Sequence, residues 1–263
     1  MGMKITWFGL ILSGALILPG GVAFSAGAER PEAKGQQGDF TLVLPTTLED
    51  WRTEYRETVA GALDQVIRWF AANGFKEAPG DLLDTVIVHD DPVVMRRELS
   101  RRFGVPESSV PDTFAGTVQG KTLFLVSAPR YEKIYRDLYP EWPWNPAEYR
   151  RLAAHELAHA AHARIVRERT GSEDAMGPRW FFEGLAICCA GQFEPAAGQD
   201  KPLDWAQFMA YVGRDREKVL SYPVYGAMFR ALDGKFAVKD LVRQAADPGF
   251  PATLEKVGKR PRP

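Results

Sequence analysis

The stretch NPAEYRRLAAHELAHAAHARIVRERTG, residues 145–171, decides how the rest of the chain is read. Asn145 offers an N-cap, Pro146 sits where a helix needs no N–H, Glu148 follows at the third helical position, and Gly171 stops the run after Thr170. Three of the chain's four histidines fall inside this predicted helix. Positions i and i+4 share a helix face and lie about 6 Å apart, so His155 and His159 can bind one cation together. Glu156 is turned about 100° from His155, which lets it flank a metal-bound water without being forced to ligate. Leu152, Ala153 and Ala154 before His155, with the small residues Ala158, Ala160, Ala161 and Ala163, make the helix largely apolar, and burying unpaired polar groups there would be costly. Metal ligation removes that cost.

A catalytic zinc takes three protein ligands and keeps one position open, so a third ligand is needed. His162 sits about 10 Å along the axis from His155. Two nitrogens each about 2.1 Å from one metal can be at most about 4.2 Å apart, which makes His162 a poor candidate. A third histidine six residues after the second is excluded because that position is Ile165. The segment RWFFEGLAICCAG, 179–191, offers Glu183, a carboxylate in an otherwise apolar helix that needs a partner. Gly184 beside it is expected to let this helix approach the histidine helix closely.

Working outward, FTLVL (40–44) reads as a strand, and Thr46 or Thr47 with Glu49 or Asp50 as a capping box for a helix closed by Asn73-Gly74. DTVIVHDD (84–91) reads as a strand, with His89 a turn residue at its end, and PVVMRRELSRRFG (92–104) as a helix. TFAGTVQGKTLFLVSA (113–128) reads as a hairpin around Gln119-Gly120, whose edge could pair with an extended peptide. The aromatic and proline-rich APRYEKIYRDLYPEWPWNP (128–146) reads as a loop or short helix.

Among 263 residues, 33 Lys and Arg nearly balance 34 Asp and Glu, which disfavours nucleic acid or an anionic membrane surface as partner. Residues 1–28 read as an export signal, with Lys4, an apolar run from Ile5 to Leu18 and small residues near Ser25 and Ala28. Left uncleaved, this segment would be an N-terminal anchor. Residues 29–39 read as a flexible lead-in and 40–263 as one domain, in the periplasm or outside the cell. Cys188 and Cys189 are adjacent and read as small apolar residues, not a disulfide.

HELAH (155–159) followed by WFFEGLA (180–186) resembles the gluzincin zinc peptidases, in particular the peptidase MA-like, aminopeptidase N-like group. The resemblance spans roughly residues 110–240. It implies a zincin-like α+β fold with a helical C-terminal part, and zinc held by His155, His159 and Glu183. It also implies that Glu156 is the general base of peptide hydrolysis and that Tyr225, in SYPVYGAMFRAL (221–232), donates to the oxyanion, with Tyr222 the neighbouring alternative. Two departures stand beside it. FAGTVQGKTLFLV (114–126) lacks the Gly-x-Met-Glu-Asn strand with which the aminopeptidase branch grips a free amine, leaving exopeptidase action unsupported. Ile187 stands where the thermolysin-like branch has an acid, so no partner for the histidines is identified. The expected activity is that of an exported zinc peptidase acting on peptides or proteins. The alternatives are a zinc-binding module without turnover and a metal-free scaffold, the latter leaving both histidines and Glu183 unexplained.

Overall fold

The computed structural model describes residues 39–75, 82–172, 175–195, 203–233, 235–247, 249–250 and 252–254. The expected export signal, and the lead-in up to residue 38, lie outside the described residues. No described helix is long and apolar enough to cross a membrane.

The fold is mixed α and β. Four short strands, β1 (Thr41–Val43), β2 (Thr85–His89), β3 (Gly116–Gln119) and β4 (Thr122–Val126), form one sheet in the order β1-β2-β4-β3. β2 runs parallel to β1 and β4, and only β3 is antiparallel. The β-branched β2 is buried along almost its whole length, as a strand covered on both faces should be. β3 and β4 form the expected hairpin, with Gly120 at φ 58° supplying the left-handed turn residue.

Helix α1 (Arg52–Ala72) connects β1 to β2, and α2 (Pro92–Phe103) follows β2 and closes at left-handed Gly104. The capping box expected at Thr46 or Thr47 does not form. A 3-10 turn over Thr46–Trp51 precedes α1 without a side-chain cap, because Thr47 donates its hydroxyl to Asp90 and Glu49 accepts from Arg52. The aromatic stretch is helical over Ala128–Leu138, α3, and buries Tyr131, Ile134 and Tyr135. His89 is a buried strand residue 3.3 Å from Glu98, not a turn residue.

Helix α4 (Ala147–Thr170) carries the histidines and ends at Gly171 with φ 77°. Pro146 takes the N-cap, while Asn145 caps from one residue before it: its Oδ1 accepts from the Ala147 N–H, and its Nδ2 donates to Glu148. Then come α5 (Arg179–Ala190), α6 (Trp205–Asp215), α7 (Tyr222–Asp233) and α8 (Val238–Ala245). Gly184 does permit a close helix approach, but to a different partner from the one expected. A Cβ there would lie 2.6 Å from the Tyr225 carbonyl oxygen and 2.7 Å from Phe229 Cβ, both on α7. Gly226 answers from α7, where a Cβ would lie 2.8 Å from Ile187. α5 is therefore wedged between α4 and α7, which positions Glu183. Both cysteines are free, and burial pushes the Cys188 thiol up to about 12.

Candidate metal centre

The centre lies where α5 crosses the middle of α4. The helical period puts the His155 and His159 rings one turn apart on the same face, and their Nε2 atoms converge to 3.0 Å. Glu183 reaches across from α5, its Oε2 lying 3.3 Å from His155 Nε2 and 3.5 Å from His159 Nε2. These three buried residues form a group that could hold a metal ion. The protonation states suit it. Burial lowers the His155 pKa and favours the neutral ring. Burial acts to raise the Glu183 pKa, but the contacts from the two histidines, hydrogen bonds first, outweigh it and leave the carboxyl at about 2. A metal needs just such a neutral imidazole and ionised carboxylate.

Glu156 stands next to this group and outside it. It is fully buried, neither carboxyl oxygen has a hydrogen-bond partner among the described residues, and burial with the charge of Glu183 pushes its pKa well up. Strand β3 passes directly over it: a Cβ on Gly116 would sit 3.2 Å from Glu156 Cγ and 3.0 Å from Leu125 Cδ2. A side chain there would require these neighbours to give way by a few tenths of an ångström.

His162 points elsewhere, as the axial distance requires. It is buried against Phe181 at 5.8 Å, both ring nitrogens lack partners among the described residues, and burial lowers its pKa to about 3, with the neighbouring His159 adding to the shift.

The two tyrosines part company. The Tyr222 ring lies against His155 with centroids 5.5 Å apart. Tyr225 donates its hydroxyl to Asp215 at 2.7 Å and accepts from the Leu220 N–H at 3.0 Å, so its polar end is committed to the α6–α7 junction. The structure thus sets Tyr222, rather than Tyr225, beside the metal-capable group.

One residue escaped the sequence reading. Gln192 Oε1 lies 2.9 Å from His155 Nδ1, both groups being buried, and supplies the partner that Ile187 does not. Its one signal is a glutamine just past the helix-ending Ala190-Gly191, in a segment otherwise apolar. His159 Nδ1 has no counterpart among the described residues.

No protein-family model, curated protein or solved structure matches the chain.

Proposed function

We propose that the chain is an exported zinc-dependent peptidase with a zincin-like fold, similar to the gluzincins. The observation that carries this reading is the convergence of His155, His159 and Glu183 with an unligated, buried Glu156 at their side. Two imidazole nitrogens and one carboxylate oxygen are a donor set for zinc. Ligands held about 2.0 to 2.1 Å from a tetrahedral zinc stand about 3.3 Å from one another. The three separations here, 3.0, 3.3 and 3.5 Å, bracket that value.

Zinc bound there supplies Lewis acidity, which polarises a carbonyl and makes water easier to deprotonate. Glu156 accepts the proton from the attacking water and returns it to the departing amine nitrogen. Burial, with the charge of Glu183 beside it, raises its carboxyl well above the ordinary carboxylate range. In this reading an extended substrate pairs with β3, the end strand of the sheet, where Gly116 brings the backbone close to Glu156. Tyr222, whose ring lies against His155, takes in this reading the donor role first expected of Tyr225, whose hydroxyl is bonded to Asp215.

Elemental analysis of the purified full chain, paired with a mass-spectrometric digest of a peptide library, tests the proposal. Stoichiometric zinc with internal cleavages is expected. Zinc without any cleavage would reduce the chain to a metal-binding module, and absence of zinc after reconstitution would remove the reading altogether.

A further inference from the structure

Helix α5 ends at Gly191 with φ 65°, and the Gln192 N–H donates to the Ile187 carbonyl at 3.0 Å to close the turn. The next residue, Phe193, has φ 51° and is the one non-glycine residue with positive φ among the described residues. A phenylalanine rarely adopts the left-handed region, so its surroundings must hold it there. They are identifiable. The Phe193 ring is stacked on Tyr135 of α3 at 6.1 Å, tilted against Tyr139 at 4.6 Å and edge-on to Trp142 at 5.4 Å. Its carbonyl accepts from Arg230 of α7 at 3.4 Å. Left-handed residues at 191 and 193, on either side of Gln192, turn the chain back towards α4, which brings the Gln192 amide to His155 Nδ1 at 2.9 Å.

We infer that Gln192 and Phe193 are positioning residues that set the tautomer and orientation of His155 for metal binding. The inference rests on the zinc reading above. An imidazole that donates Nδ1–H to the glutamine oxygen keeps its Nε2 lone pair free, and that lone pair points to His159 Nε2 and Glu183 Oε2. The opposite tautomer would put a proton on Nε2, where a metal must bind. The aromatic cluster of α3 and the loop after it thereby acquires a role at the site: it clamps Phe193, which aims Gln192. His159 lacks an equivalent partner among the described residues, so the order of the site depends on the His155 side.

The test uses the full chain and zinc itself, with affinity read by competition against a chelator and the His155 tautomer by long-range proton–nitrogen NMR of the metal-free protein. In wild type the proton should sit on Nδ1. Gln192→Leu should mix the tautomers and weaken zinc binding about 10- to 100-fold. Gln192→Glu, which keeps an acceptor, should restore both. Phe193→Ala should weaken zinc in the same direction by a smaller factor, because it acts through Gln192. A wild-type His155 protonated on Nε2, or a folded Gln192→Leu chain with unchanged zinc affinity, overturns the inference. Should Gln192→Leu fail to fold by circular dichroism, the wild-type tautomer and the Gln192→Glu affinity decide. If wild type binds no zinc, the zinc reading fails by itself, and the tautomer in the metal-free chain still judges the Gln192 contact.

Discussion

Glu156 and Glu183 are both buried glutamates at the crossing of α4 with its neighbours, yet their environments drive them in opposite directions. Around Glu183, on the α5 side, two imidazoles meet one carboxylate oxygen and hold its pKa down. On the β3 side, Glu156 meets the backbone of Gly116 and no hydrogen-bond partner among the described residues, and burial pushes its pKa up. Burial penalises the charge of both. What differs is the company, and on the proposed reading that difference separates a metal ligand from a proton carrier.

The sharpest way to break this contrast is to exchange the losses. Glu183→Ala should abolish stoichiometric zinc as completely as His155→Ala, measured by elemental analysis, and should eliminate turnover with it. Full zinc in Glu183→Ala would move the third ligand elsewhere. Glu156→Gln should do the reverse, keeping the zinc and the fold while turnover falls by about 10²- to 10⁴-fold, since an amide cannot accept the proton. A rate for Glu156→Gln within a few-fold of wild type would return Glu156 to a packing role.

The tyrosines sharpen the contrast at a smaller scale. Tyr222→Phe should lower kcat by about 10²- to 10³-fold with KM and zinc nearly unchanged. Tyr225→Phe should leave kcat near wild type and instead lower stability by roughly 1.5 to 3 kcal/mol, because its hydroxyl serves Asp215. Steady-state kinetics with thermal melts of both variants separates the outcomes, and the opposite pattern would restore Tyr225 to the site.

Smaller still is the effect expected at the two glycines. Gly184→Ala places a methyl group 2.6 Å from a backbone oxygen on α7 and should cost about 1 to 3 kcal/mol in denaturant unfolding. Gly116→Ala crowds Glu156 and Leu125, so it should slow turnover more than it lowers the melting temperature. Equal behaviour of the two variants would mean that β3 packs on Glu156 without positioning it.

The sequence by itself determined whatever depends on one helix. The pairing of His155 with His159, the offset of Glu156 and the poor placement of His162 follow from a 3.6-residue period, and that period is local. Glu183 was legible for a different reason: a carboxylate in an apolar helix demands a partner wherever the helix packs. The β3–β4 hairpin was legible because its turn is local, but the parallel pairing of β2 with β1 and β4 was not, because those partners are chosen across the fold. Tyr222 and Tyr225 are three residues apart on α7 and neighbour each other on its surface. Which of them meets His155 depends on how α7 is rotated against α5, and the contacts of Gly184 and Gly226 set that rotation. Gln192 reaches His155 only through a turn with two left-handed residues, held by aromatic rings from α3 and the loop after it. Periodicity along a chain fixes the direction of a side chain about its own axis; the rotation of one element against another is settled only by the packing between them.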